Sequence, residues 1–408
     1  MHWRDPFRVR SFRFQWPADL ATSWAFEMEA IVLGWFILVE SGSVLMLVVF
    51  GALQYLGALV SPLFGVVGDR LGYRRMLVQS RALYAALAAT FMVLAWLQVL
   101  TPMIVLFMAA LAGLVRPSDL MMRNALIAQT VPPRHLLGAL GISRITSDSA
   151  RIAGALAGAG VVAWLGMTWA YALITALYTL SFVLSRGVSD VPAPHDAVRV
   201  SPVRDLQLAF GYVWTRPVLM AAMALAFLIN LLAFPFSLGL LPYVAKNIYL
   251  TDQTGLGWLG ASFAFGGLVG SVVLSSQRFA FRAAQTMVLA GAVWFAVDVL
   301  FAFSTHLGVG MTLLCLAGLA QSLCMTPLAA VMLRVTEPAY RGRVMGMRML
   351  AVWGLPLGLM LSGPLIDRWG YAATAGVYSV LGLLLTGAMA VYWRAHIWDR
   401  KAPANAPV

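Results

Sequence analysis

The sequence predicts an all-α polytopic membrane protein with twelve transmembrane helices in two pseudo-symmetric six-helix bundles. Three observations lead there. Of 408 residues, 61% are hydrophobic and 11% charged, against about 25% charged in an ordinary soluble domain, which excludes a water-soluble globular enzyme. Twelve apolar runs approach or exceed the roughly 20 residues that a spanning helix needs. Finally, a shift of 205 residues superposes Leu111, Ala112, Gly113 and Leu114 on Leu316, Ala317, Gly318 and Leu319. The register continues to Ala125/Ala330, Pro133/Pro338, Gly141/Gly346 and Gly158/Gly363, and Gly34/Gly239 and Gly65/Gly270 share it. Two parallel six-helix halves enclose a cleft that can open alternately to either side, so the architecture implies transport.

The elements follow in order from apolar runs between charged or Pro/Gly-marked breaks. Residues 1–17 alternate arginine with aromatics, contain no apolar core, and read as a cytoplasmic basic arm and not a signal peptide. Helices are expected over 18–39, 44–68, 76–98, 102–124, 138–163 and 167–186, forming an N-terminal bundle over 18–186. A polar cytoplasmic linker spans 187–216. Six more helices are expected over 217–244, 256–277, 285–304, 308–333, 344–366 and 371–393, within a C-terminal bundle over 217–394, followed by a tail over 395–408.

The net charge of +12 would hint at nucleic acid in a soluble protein, but here it records orientation. With both termini cytoplasmic, the cytoplasmic segments collect Arg4, Arg8, Arg10, Arg13, Arg70, Arg74, Arg75, Arg134, Arg186, Arg199, Arg204, Arg216 and their counterparts in the second half, while the opposite side holds Lys246 and Arg368. The basic arm and linker can also be read as lipid- or partner-binding. The expected setting is a membrane with both termini cytoplasmic, with no nucleic-acid partner. Cys315 and Cys324 fall in one apolar run, which supports neither a disulfide framework nor a metal site.

Between the second and third predicted helices stand Gly65, Gly68, Asp69, Arg70, Gly72, Tyr73, Arg74 and Arg75. Gly65 and Gly72 permit close packing and a tight turn, and Asp69 can sit at a helix N-terminus or pair with arginine. This stretch resembles the G-x-x-x-D-R-x-G-R-[RK] signature of the major facilitator superfamily, departing by Tyr73. The resemblance implies that the loop latches the outward-open state. The matching second-half loop, around Arg278 and Arg282, lacks the acidic residue. Further stretches, Arg116 to Ile127, Val131 to Pro133 and Ala150 to Gly158, are similar to the bacterial efflux branch that includes the enterobactin exporter and macrolide efflux proteins. In exporters of this superfamily the fifth helix carries a Gly-Pro pair. Here Ala155 replaces the proline, and Gly154 and Gly158 still license close helix contact.

Ionisable residues inside spans are costly unless paired or hydrated, so each is a functional candidate. Five acids qualify: Glu27, Glu29, Asp119, Asp148 and Asp298. Glu27 and Glu29 project about 200° apart around their helix, so one of them faces the cavity. Ser23, one turn before Glu27, gives Glu27 the stronger claim. Arg116, Asp119 and Arg123 form one polar stripe, and Arg144, Asp148 and Arg151 another. Each stripe nets +1, which Glu27 or Glu29 can balance. Glu27, Glu29, Asp119 and Asp298 are the proton-coupling candidates, although Asp298, alone on the ninth helix, also reads as structural. Arg116 and Arg151 are substrate-cavity candidates, joined by Asn230, Phe234 and Trp258 as an aromatic and amide wall. Arg123, Arg144 and Asp148 read as gating or packing charges. Pro235, Pro242, Pro327, Pro356 and Pro364 are expected to kink their helices.

A pump driven by ATP hydrolysis needs a P-loop lysine, and lysine occurs only at 246 and 401. The five histidines, His2, His135, His195, His306 and His396, are scattered over ends and loops, so neither a metal nor an organic cofactor is expected. A membrane-embedded enzyme would need catalytic company that Glu27 and Glu29 lack. The reading is a monomeric secondary transporter, exchanging protons for a small organic molecule, either a siderophore or a drug-like amphiphile. Proton symport of a small metabolite is the alternative.

Overall fold

The computed structural model describes residues 5–58, 72–189, 202–275, 282–337 and 340–398. Every regular element among them is helical, and ten of the helices are long and apolar enough to cross a membrane. The chain groups into two compact units, Met1–Arg199 with Leu250–Ala261, and Val200–Tyr249 with Ser262–Val408.

Unit 1 contains α1 (Arg10–Ser41), α2 (Val44–Leu53), α3 (Tyr73–Trp96), α4 (Pro102–Thr130), α5 (Pro133–Leu165) and α6 (Met167–Ser185). Helix α1 packs on α5 and α6, α3 on α4 and α6, and α2 on α4. Met28, Val32, Ile37, Phe91, Tyr171 and Ile174 lie in the shared core. α1 starts eight residues before the expected 18, because Pro17 sits inside the helix. Its 32 residues span about 48 Å at 1.5 Å per residue, well beyond the roughly 30 Å hydrocarbon layer, so its first two turns extend past the apolar zone.

Unit 2 begins with a helix that the polar linker conceals, α7 (Pro202–Trp214). Tyr212 on α7 stacks on Tyr340 at 4.3 Å, and Arg216 pairs with Glu337 at 2.7 Å. The following span, α8 (Pro217–Ile248), runs as regular helix to Leu228 and then passes through π-helical turns at Ile229–Ala233, Pro235–Gly239 and Val244–Ile248. Pro235 and Pro242 account for the distortion, since each removes a backbone donor from the ladder. Helices α9 (Gln253–Ser275), α10 (Ala283–Ala302) and α11 (Leu307–Val335) follow. The next span comes in two pieces, α12 (Arg341–Ala351) and α13 (Gly354–Trp369), and α14 (Tyr371–Tyr392) closes the set. Pro356 and Pro364 lie in α13, and Pro327 is accommodated within an unbroken α11.

Helices in lipid gain little from burying apolar surface against one another, so close backbone approach through small residues holds them together. The repeat at offset 205 takes this form. A Cβ on Gly113 would lie 1.9 Å from the Leu53 carbonyl oxygen of α2, and one on Gly318 would lie 1.9 Å from the Phe263 carbonyl oxygen of α9. Gly57 and Gly266 return the contact, at 2.0 Å from Leu114 O and 1.8 Å from Cys315 O. The second and fourth helices of one half thus cross at glycine, and so do their counterparts in the other half. Gly318→Ala is expected to force α9 and α11 apart at a cost of about 1–3 kcal/mol, seen as a lower melting temperature of the detergent-solubilised protein. An unchanged melting temperature would show that the crossing can slide.

Candidate functional site

Buried charge in unit 1 is arranged in tiers along α1. Asp19, Thr22, Ser23, Phe26 and Glu29 recur at three- and four-residue spacing and so share one face. The tier nearer the N-terminal end of α1 holds two arginines and two aspartates, all buried. Arg81 on α3 is fully buried and donates to Asp19 and, at 2.6 Å, to Ser185 Oγ. Arg123 on α4 pairs through Nε with Asp119, one turn back, and lies 3.5 Å from Asp19 Oδ1. Its Nη1 donates to Ser23 Oγ at 2.8 Å, and Gln15 donates to its carbonyl at 3.0 Å. Two cations against two anions leave this tier neutral, which is how a low-dielectric interior tolerates it.

About 15 Å further along α1, the second tier joins Glu29 to Arg116. The Arg116 Nη2 donates to Glu29 Oε2 at 2.7 Å, and its Nη1 donates to the side-chain carbonyl of Gln54. Tyr178 on α6 donates to the same Glu29 oxygen at 3.0 Å. The Phe26 ring lies 4.2 Å beneath the guanidinium, a desolvated cation–π contact. Beside the pair is a void of about 10 Å³, lined by Glu29, Leu33, Phe50, Gln54, Phe91 and Met108 among others. That is room for about one water.

Glu27 and Glu29 are divided by the helix, as their spacing requires. Glu29 is enclosed, whereas Glu27 stands half-exposed, its Oε1 3.7 Å from Arg151 Nε. Gly154 and Gly158 lie against α1 at this point. A Cβ on Gly154 would come 2.6 Å from Glu27 Cβ, and one on Gly158 would come 2.9 Å from Met28 Cα. Arg116, Asp119 and Arg123 form one stripe but do not pair only among themselves, since Arg116 reaches across to α1 and α2. Asp148 is buried on α5. The Arg144 side chain lies outside the described residues.

In unit 2, Asp298 on α10 is buried, and Ser237 in the central π-turn of α8 donates to it, 2.9 Å from Oδ1 and 3.2 Å from Oδ2. The Trp294 indole donates to Ser237 Oγ at 3.1 Å. Among the described residues no cation pairs with this carboxyl. Asn230 turns back to the Ala226 carbonyl at 2.8 Å, and Phe234 meets the Trp294 ring edge-on at 4.9 Å. Trp258 is exposed on the part of α9 that groups with unit 1. Gly65, Gly68, Asp69 and Arg70 of the signature loop lie outside the described residues. At its end, Gly72 caps α3 with φ +85°, a conformation that favours glycine. Arg74 donates to the Arg186 carbonyl at 2.7 Å, and Arg75 is exposed. Among the described residues no cluster of His, Cys, Asp and Glu could hold a metal.

Residues 3–406 match the family described as transmembrane secretion effector, within the major facilitator superfamily. The chain belongs to that family. It is a multi-pass membrane transporter and not an enzyme. Relatives include the multidrug efflux pump Tap of Mycolicibacterium fortuitum, 29% identical over 377 residues covering 88% of this chain and 89% of the relative. The pump of the same name in Mycobacterium tuberculosis H37Rv is 26% identical over 382 residues, covering 89% and 88%. Solved structures of similar fold include an auto-inhibited POT family peptide transporter, with a TM-score of 0.75 at 12% identity covering 98% and 99% of the two chains. The nucleoside transporter NupG gives 0.71 at 14% identity, covering 96% and 100%. At such identity these two likenesses concern the fold alone.

Of the site residues, the sequence did not single out Asp19, Arg81, Gln54 or Tyr178. Asp19 lies one turn from the Arg-rich arm and reads as flank, and a tyrosine in an apolar helix reads as core. The signal available was spacing: Asp19 shares a face with Ser23 and Glu29, and Tyr178 shares one with Ser181 and Ser185.

Proposed function

We propose that the transporter exports drug-like amphiphilic compounds from the cytoplasm in exchange for protons, in the bacterial inner membrane with both termini cytoplasmic. The observation that carries the coupling is the enclosed pair Glu29–Arg116. A carboxyl in a span is held ionised by its cation, and a proton arriving there releases the arginine. That change of charge next to α1, α2, α4 and α6 biases one state of the bundle over the other, which is what coupling requires. Glu27 and Arg151, half-exposed, supply polar contacts for a substrate. The multidrug pumps among the relatives favour a drug over a siderophore. The two substrate-cavity arginines each face a carboxylate of the chain itself, Arg116 that of Glu29 and Arg151 that of Glu27, which leaves less call for an anionic ligand. The test is ethidium uptake by everted membrane vesicles carrying the protein. Collapsing the pH gradient with nigericin is expected to stop uptake, while collapsing the electrical potential alone slows it less. Uptake that survives nigericin would overturn proton coupling.

A further inference from the structure

The two tiers are separated by about 10 Å along α4, and the groups between them are hydroxyls. Thr22 and Ser181 share a hydrogen bond at 2.5 Å, and Ser181 also donates to the Ala18 carbonyl at 2.8 Å, so that pair is internally satisfied. Tyr84 is different. It sits one turn from Arg81 on α3, is 2% exposed, and its hydroxyl has no hydrogen-bond partner among the described residues. Its ring lies 5.7 Å from Tyr178, whose hydroxyl is on Glu29, and 5.1 Å from Phe26, which underlies Arg116. Arg81, one turn before it on α3, belongs to the lower tier through Asp19, so Tyr84 adjoins both tiers. In the lower tier, Asp119 Oδ1 and Arg123 Nη2 are likewise buried and unpartnered. Buried polar atoms are rarely left unsatisfied, and neighbouring orphans of this kind are ordinarily bridged by water.

We propose that Tyr84 and the water it shares with Asp119 form a proton relay inside the first bundle, joining the Glu29–Arg116 pair to the Asp19–Arg81–Arg123–Asp119 tier. The inference rests on Glu29 being the coupling carboxyl. The protonated Glu29 gives its proton to the Tyr178 oxygen as Tyr178 passes its own, through a bridging water, to Tyr84. Tyr84 passes one through water to Asp119 Oδ1. Each hydroxyl loses one proton and gains one, Glu29 ends ionised and paired with Arg116, and Asp119 ends neutral. Arg123 tolerates that change because Asp19 still lies 3.5 Å from it. The lower tier thus takes up the proton at Asp119 and holds one net positive charge until the proton moves on, with Asp19 left to serve both arginines.

Tyr84→Phe separates a relay from packing. It keeps the ring and deletes a hydroxyl that has no partner, so a packing role leaves the protein as stable as before or more so. The measurement is a stopped-flow pH jump on the purified full-length protein in detergent, followed in the infrared carboxyl C=O stretching region. The band absent from Glu29→Gln belongs to Glu29. In Tyr84→Phe that band is expected to persist with a native melting temperature, and to respond about a hundredfold more slowly, the loss typical of removing a positioned proton carrier. A native response rate in Tyr84→Phe would overturn the relay and leave the coupling site intact. A band set unchanged in Glu29→Gln would overturn the coupling reading itself, and the relay with it.

Discussion

Glu29→Gln is expected to abolish gradient-driven export while leaving the fold intact. The glutamine is isosteric, and its carbonyl can still accept from Arg116 and its neighbours, so the upper tier stays hydrogen-bonded and the melting temperature shifts little. What it cannot do is change charge. In reconstituted vesicles, ethidium flux driven by an imposed pH gradient should therefore fall by about a hundredfold or more, the range lost with a positioned proton-transfer group. Exchange of labelled for unlabelled ethidium without a gradient should continue. Glu27→Gln provides the contrast: its carboxylate is half-exposed and 3.7 Å from Arg151, and pairs of that kind contribute little. That variant is expected to keep gradient-driven flux within a few-fold of native while altering its half-saturating ethidium concentration. The reverse pattern, with Glu27→Gln uncoupled and Glu29→Gln active, would move the coupling site to the exposed pair.

Arg81→Met is expected to have the largest effect on stability. Arg81 is fully buried, and it serves Asp19 and Ser185 together. Removing it leaves Asp19 with Arg123 alone, and Arg123 must already satisfy Asp119. Breaking a buried pair by deleting one partner costs about 3–5 kcal/mol, because the survivor remains charged and poorly compensated. That is a large fraction of a typical stability of 5–15 kcal/mol, so little folded protein should be recovered after solubilisation. Asp19→Asn in the same chain removes the stranded charge and should restore much of the yield. Yields equally poor in the double variant would mean that the Arg81 stem, and not its charge, holds α3 against α1 and α6.

The sequence carried the fold well because membrane helices announce themselves by length and apolarity, and because duplication left Gly113 and Gly318 in register. The chemistry was half legible. Spacing says which residues share a face, so the stripe of Arg116, Asp119 and Arg123 and the opposed directions of Glu27 and Glu29 could be read directly. Which helix a face meets is a matter of packing, and one sequence does not contain it. Hence Glu27 looked the better candidate on the strength of Ser23, whereas Ser23 accepts from Arg123 in the tier of Asp19, and Glu27 stands half-exposed beside Arg151. The start of α1 was misplaced for a local reason: proline reads as a boundary in water, but a membrane helix can carry Pro17 within it. The linker helix α7 was hidden by polar composition, and Tyr212, which stacks on Tyr340 and accepts from the Glu337 N–H, shows what orders it.

The central claim is that an outward drug flux and an inward proton flux share Glu29. The most direct measurement is simultaneous recording of ethidium and proton movement in proteoliposomes with no imposed gradient, the lumenal pH read by trapped pyranine. An ethidium gradient imposed on the native protein is expected to drive protons the opposite way, and Glu29→Gln should move ethidium with no proton signal. Ethidium flux without proton movement in the native protein, or native proton movement in Glu29→Gln, would contradict it.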